Sequence, residues 1–169
     1  MKSPLPEPAD VLFRIKRGLA GYISYLAACE MNEAFSEYVL YEPMLRILTA
    51  RSYSVKCEYA CESLSVKNGG DRKRIDFRAE KGGVLVAIEV KWARDQRVDV
   101  GRDHEKLACF REENLGARAF LCVFGRKTHI QDVNLKAGKF AGRFVEKGKP
   151  IYADFRKTKF GCRIYELKN

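Results

Sequence analysis

An acid and, thirteen residues later, an acid and a lysine separated by a single valine stand out in the stretch Arg72 to Ala93, RKRIDFRAEKGGVLVAIEVKWA. They are Asp76, Glu89 and Lys91. In the strand that holds the last two, Val84, Val86, Ile88, Val90 and Trp92 form one face and Leu85, Ala87, Glu89 and Lys91 the other. Both faces are apolar until the strand's end, which predicts a central strand covered on both sides. Glu89 and Lys91 emerge together from such a strand, where burying a charge is expensive. With Lys81-Gly82 as a two-residue turn, Asp76 faces Ala87 and lies diagonal to Glu89, about 7–8 Å away at Cα. An E-x-K pair on a strand is by itself an ordinary ion pair. A second acid brought to the same face across a glycine turn makes it a candidate for more. Two carboxylates beside a lysine suit metal-assisted hydrolysis of a phosphodiester. Hard oxygen donors fit Mg²⁺ or Mn²⁺, which keep waters and bind substrate phosphate directly. The lysine can place the attacking water or offset developing charge.

The surrounding pattern supplies the elements that hold these groups. Apolar residues at 11, 12, 15, 19, 22, 23 and 26 repeat with a helical period from Asp10 to Cys29, with Asp10 as N-cap. A second helix covers Leu40 to Arg51, with Leu40, Met44, Ile47 and Leu48 on one face and Pro43 in its first turn. Tyr53, Val55, Cys57, Tyr59 and Cys61 alternate with Ser54, Lys56, Glu58 and Glu62, the pattern of a half-buried strand. Strands follow over Lys73 to Ala79 and Val84 to Trp92, then a helix over Gly101 to Asn114 with Leu107 and Phe110 inward. Ala119 to Phe124 reads as a buried strand, and Lys149 to Phe155 and Cys162 to Leu167 as two more joined by a basic turn. The expected fold is α/β (mixed α+β) around one sheet. Residues 1–9 are a Pro-rich flexible arm, and residues 10–169 form a single domain with a core of about 37–125 and a basic extension over 126–169.

The chain of 169 residues has 32 Lys and Arg against 22 Asp and Glu, a formal charge of +10. From Arg126 to Asn169 there are twelve basic residues against four acidic, so most of the excess lies there. A one-sided basic surface favours a polyanionic partner, nucleic acid before anionic membrane. No apolar run reaches the ~20 residues of a membrane span. The N-terminus lacks the apolar segment of a secretory signal, so the expected location is the reducing cytoplasm. The six cysteines (29, 57, 61, 109, 122, 162) accordingly read as free, buried thiols, without zinc-site spacing. With only His104 and His129, a His-centred triad or His-rich metal site is disfavoured; His104 reads as surface and Trp92 as core. No organic cofactor motif is present.

Asp76, then twelve residues, then Glu89-Val90-Lys91 at the end of an apolar strand resembles the PD-(D/E)xK nuclease superfamily. The likeness runs through helix, three-stranded meander, helix and strand, roughly residues 37–125. Glu37 to Glu58, EYVLYEPMLRILTARSYSVKCE, also resembles the opening of some uncharacterised members, E-x-x-L-Y-x-P…L…Y-x-V-x-x-E. The resemblance implies a restriction-endonuclease-like, or Holliday-junction-resolvase-like, αβββαβ core. It makes Asp76, Glu89 and the Val90 backbone carbonyl the Mg²⁺ ligands, with Mn²⁺ as substitute. Lys91 would contact the attacking water or the phosphate, and Glu37 would supply the helix acid that tunes the first metal or holds a second. Glu33 and Glu42 are the competing acids; Glu37 is favoured because its face continues to Leu40, Tyr41, Met44 and Leu48. Ile75 stands where the family's motif has proline. The implied activity is an endonuclease on DNA rather than RNA, leaving a 5′-phosphate, with a homodimer allowed. The alternatives are a non-catalytic nucleic-acid-binding module on the same fold and a protein-interaction module. Arg72, Lys73, Arg74 and Arg78 flank Asp76, and Lys106 follows on the next helix. The basic tail offers Lys136, Lys139, Arg143, Lys147, Lys149, Arg156, Lys157 and Lys159 among aromatics. The expected nucleic-acid contacts are Arg74, Lys106, Lys139, Arg143, Arg156, Lys157 and Lys159.

Overall fold

A computed structural model describes residues 8–31, 36–61, 74–136, 142–155 and 158–168. Of the residues singled out above, Glu33, Glu62, Arg72, Lys73, Lys139, Arg156 and Lys157 lie outside that set. The elements run α1 (Ala9–Ala28), a 3-10 turn (Glu37–Leu40), α2 (Tyr41–Ala50), β1 (Ser54–Ala60), β2 (Arg74–Lys81), β3 (Val84–Ala93), β4 (Arg97–Asp99), α3 (Gly101–Glu113), β5 (Arg118–Arg126), α4 (Lys127–Ile130), β6 (Asn134–Lys136), β7 (Phe144–Glu146), β8 (Ile151–Phe155) and β9 (Thr158–Leu167). The main sheet has the order β1-β2-β3-β5-β9-β7, with β8 also on β9, and β4 pairs with β6 separately. Among the described strands of the main sheet only β3 and β5 run parallel, joined through α3; the other pairs are antiparallel. The chain is thus a mixed α/β protein with a central mixed sheet flanked by helices. No described helix is long and apolar enough to cross a membrane.

The two-faced apolar character of β3 is explained by what covers it. Val86, Ile88 and Val90 join α1 and α2 in one core, with Phe77, Phe120, Phe124 and Phe160. Ala87 and Ala93 join Leu107 and Phe110 of α3, with Leu121 and Val123, in the other. Trp92 packs on Phe124 with ring centroids 4.9 Å apart, the core role expected of it.

Several local expectations change. Pro8, not Asp10, stands at the N-cap of α1. Asp10 sits within the first turn and pairs with Arg14 at 3.0 Å and Arg51 at 2.6 Å instead of capping. His104 is buried, edge-on to Phe144 at 5.8 Å, rather than on the surface. All six cysteines are free, but Cys29 and Cys57 are exposed.

The turn between β2 and β3 is Gly82-Gly83, both with positive φ (54° and 78°), so Lys81 pairs with Val84. Two-residue hairpin turns of the common type need positive φ at both central residues, which only this glycine pair meets without strain. Phe77 therefore faces Ile88, and one step further Asp76 comes directly across from Glu89, not diagonal to it.

The alternation of β1 also breaks. Tyr53 and Val55 join the α1/α2 core, whereas Tyr59 and Cys61 join the α3 core. The reversal falls at Glu58, whose φ is 50°. A left-handed residue inside a strand turns the following side chains over, at an energetic cost for any residue but glycine.

β9 is an inner strand, with β5 on one side and β7 and β8 on the other. Its Glu166 is buried and held by Arg118 at 2.7 Å and Lys147 at 3.0 Å. Burial alone would raise this carboxyl, but the Arg118 and Lys147 hydrogen bonds bring it down to about 2. A depressed carboxylate stabilises the fold above its unfolded value of 4.5 and loses that contribution as pH falls toward about 2. Thermal melts between pH 5 and pH 2.5 should show this loss, and Glu166→Gln should flatten the slope; an unchanged slope would remove Glu166 from the acid transition.

Candidate active site

β2 and β3 stop pairing through their backbones just where the acids meet. The Asp76 N–H donates to Glu89 Oε1 at 3.3 Å, and the Val90 N–H donates to Asp76 Oδ2 at 2.7 Å. Each carboxylate thus takes the backbone donor of the opposite strand, which fixes both side chains against the sheet. Glu89 is 1% exposed. Burial raises its carboxyl well above the ordinary value, and the neighbouring Asp76 adds to the shift. Burial likewise raises Asp76, against the opposing pull of its hydrogen bonds from Tyr41 and Val90. Two acids held side by side out of water resist carrying two negative charges.

Cations and donors from three other elements offset that charge. The Lys106 ammonium, from α3, bonds Glu89 Oε2 and also donates to the Arg74 carbonyl at 3.1 Å. Asp103, one helical turn earlier, lies 3.8 Å from Lys106 and 3.2 Å from Lys91 Nζ. Burial works against the charge on Lys91, yet Asp103 and Glu37 hold its pKa above the ordinary lysine value. The Tyr41 hydroxyl sits with its single proton between Asp76 Oδ1 at 2.6 Å and Glu58 Oε1 at 2.7 Å. Burial, reinforced by these carboxylates, pushes that hydroxyl far above its usual value, so Tyr41 stays protonated. Glu37 accepts the Trp92 N–H at 3.1 Å from its 3-10 turn. These groups line an open cleft of about 860 Å³, with Arg74 and Arg102 on its wall.

The structure brings together Glu37, Asp76, Glu89, Val90 and Lys91, the full set singled out in the sequence. Of the two described helix acids, Glu37 lines the cleft, whereas Glu42 is exposed and paired with Arg46. Lys106, expected to contact nucleic acid, lines the cleft and is paired there with Glu89. Arg74 lies at the cleft, whereas Arg143 and Lys159 do not line it. Arg143 borders a separate hollow with His104, Arg118 and Lys168. Lys147 is committed to Glu166. Arg78 pairs with Glu80 at 2.9 Å. Tyr41, Glu58, Arg102 and Asp103 are site residues the sequence reading missed. For Asp103 a signal existed: it precedes Lys106 by one helical turn, beside the inward Leu107 and Phe110.

Among the described residues no three His, Cys, Asp or Glu side chains already stand in a coordinating cluster. The donor set nonetheless suits a hard divalent cation: two neighbouring carboxylates, both raised by burial and Glu89 also by Asp76, meet a cation already in the form of the Lys106 ammonium. A metal would fit on Asp76 and Glu89 once Lys106 leaves Glu89 Oε2. No family model matches this sequence, and neither a curated protein nor a solved structure is similar to it at a significant level.

Proposed function

We propose that the chain is a metal-dependent phosphodiesterase. The observation that carries this reading is the direct opposition of half-buried Asp76 and buried Glu89, with Lys91 two residues on along the same strand face. More particularly, the reading is a DNA endonuclease of the PD-(D/E)xK type. The order of α2, the β1-β2-β3 meander, α3 and parallel β5 supports a restriction-endonuclease-like core.

Asp76 and Glu89 would hold Mg²⁺, or Mn²⁺ in its place, with the Val90 carbonyl as a backbone donor. The ion would supply Lewis-acid polarisation of the phosphate and a more acidic water. Tyr41 orients Asp76 through its hydrogen bond, and Glu58 steadies Tyr41 from the other side. Lys91, held protonated by Asp103, orients the attacking water and meets the charge that grows on the phosphate oxygens. Glu37 holds the end of β3 at Trp92 and places a further acid at the cleft. The pairing of Lys106 with Glu89 favours a second reading, a nucleic-acid-binding module whose acids are permanently neutralised and do no chemistry.

Cleavage assays separate the two. Plasmid, linear duplex, single-stranded DNA, a four-way junction and RNA would be incubated with Mg²⁺, Mn²⁺ or EDTA, with Asp76→Asn as the contamination control. Metal-dependent cutting by the wild type alone establishes the enzyme and its substrate. Absence of cutting, together with Mn²⁺ binding that ignores Asp76→Asn, establishes the module. Lys91→Ala should keep Mn²⁺ binding and lose turnover by roughly 10²–10⁴; unchanged turnover would remove it from the mechanism.

A further inference from the structure

The carboxylate cleft does not end at Lys91. It opens into a second hollow of about 490 Å³, and the two share Glu37, Lys91, Arg102 and Asp103. The second hollow is bounded by Arg94 just after β3, Arg97 at the start of β4 and Arg102 at the start of α3. All three arginines are exposed. None of their guanidinium groups forms a hydrogen bond or ion pair with another described residue.

The acids of this hollow are otherwise engaged. Asp99 accepts the Gly101 N–H at 3.0 Å, and Asp95 accepts the Arg97 N–H at 2.5 Å. Asp103 is paired with Lys91 and Lys106, and Glu37 takes the Trp92 N–H. The continuous groove is therefore bipolar. One lobe presents buried carboxylates that call for a cation, and the next presents three uncommitted guanidinium groups that call for an anion.

We propose that the arginine lobe is a phosphate subsite that grips the phosphate next to the scissile one on a nucleic-acid strand. This rests on reading the carboxylate lobe as the phosphodiesterase site. A polynucleotide carries permanent charges repeated along one chain, so one phosphate can sit among arginines while its neighbour reaches the acids. Guanidinium groups match phosphate oxygens in pairs, which favours arginine over lysine in this role. An acidic peptide can pair with the arginines too, but it brings no phosphodiester to the metal site read in the neighbouring lobe. The subsite makes a polynucleotide, rather than an isolated phosphodiester, the substrate that engages both lobes. It also moves the grip on nucleic acid from the C-terminal tail to the β3–α3 connection.

The test is fluorescence anisotropy with a fluorescein-labelled 20-nucleotide DNA, single-stranded and duplex, in EDTA from 50 to 200 mM salt. The proteins are the wild type, Arg94→Ser/Arg97→Ser/Arg102→Ser, and the tail variant Lys149→Ser/Lys159→Ser, each checked for an unchanged melting temperature. The arginine variant should bind at least about tenfold more weakly at the lowest salt. Its slope of log affinity against log salt should fall by roughly 0.7–0.9, the change for the one phosphate it no longer neutralises. The tail variant should match the wild type. Unchanged affinity and slope in the arginine variant, or a fall confined to the tail variant, would overturn the subsite. So would displacement of the DNA by poly-glutamate at equal charge, which would mark a surface for acidic protein. The assay contains no metal and needs no turnover, so the two ideas fail separately. DNA binding through the arginines without any cleavage sinks the nuclease reading alone, whereas cleavage with arginine-independent binding sinks the subsite alone.

Discussion

Glu89→Gln should abolish metal-dependent phosphodiester hydrolysis, by a factor of about 10³ or more, while making the protein harder to melt. The first half follows from the role of Glu89 as a charged oxygen donor opposite Asp76, which a neutral amide cannot fill. The second half follows from burial. Glu89 is 1% exposed and its carboxyl is held well above the unfolded value of 4.5 by desolvation and by Asp76. A carboxyl raised in the fold contributes stability that is fully present below its unfolded value and is lost as pH rises through its folded one. At neutral pH the ionised side chain is therefore a burden on the fold, and glutamine is the permanent mimic of the protonated acid. Its one amide oxygen keeps a single one of the two donors, the Asp76 N–H or the Lys106 ammonium, which limits the gain. A gain of about 1 kcal/mol is expected, or roughly 2–4 °C. Thermal melts in EDTA at pH 5 to 8 should show the gain growing toward pH 8 and shrinking toward pH 5. A lower melting temperature at pH 8 would mean that the pairing with Lys106 outweighs the cost of burial.

Lys106→Met should have the opposite signature. Removing the ammonium leaves Glu89 beside Asp76 with no cation on it, and breaking a buried ion pair from one side costs about 3 kcal/mol. In EDTA the variant should melt roughly 6–12 °C below the wild type. Saturating Mg²⁺ or Mn²⁺ should then raise its melting temperature by more than it raises the wild type's, because the ion no longer has to displace an internal cation. Equal metal-induced shifts in the two proteins would show that Lys106 and the metal do not share the site.

The elements of this fold were largely legible, because burial writes its period into sequence. β3, apolar on both faces, lies in the middle of the sheet, and Leu107 and Phe110 of α3 are inside as their spacing required. The site was legible in its residue types and less so in its geometry. The Lys81-Gly82-Gly83 turn admits two placements, and the wrong one moves Asp76 away from Glu89. Backbone conformation decides it: only glycine is at ease with both positive φ values. Glu58 was invisible for a related reason. Alternation assumes uniform extended backbone, and a single left-handed residue delivers an outward acid to Tyr41 and Asp76. Lys106 and His104 looked like surface residues because their partners, Glu89 and Phe144, are far away in sequence. In the tail, Lys147 answers the buried Glu166 and Arg163 answers Glu146 at 2.8 Å, internal pairings that composition could not show and that leave the net excess of the segment as it was.

The seat of α1 bears on how the chain is made. Lys16 donates to the carbonyls of Lys147 and Lys149, both at 2.8 Å, and Ser24 donates to that of Ala153 at 2.9 Å. α1 thus rests on a platform made much later in the chain, 131 positions on from Lys16 at the nearer partner. At 5–20 residues per second, roughly 7–26 s pass between the synthesis of α1 and that of its platform. The β1-β2-β3 meander has no such wait, since its strands are neighbours in the chain. During translation the acids of the cleft can meet while the apolar stripe of α1, Val11, Ile15, Leu19 and Ile23, still has no β8 or β9 to cover it. That stripe is where a nascent chain of this protein would engage a chaperone.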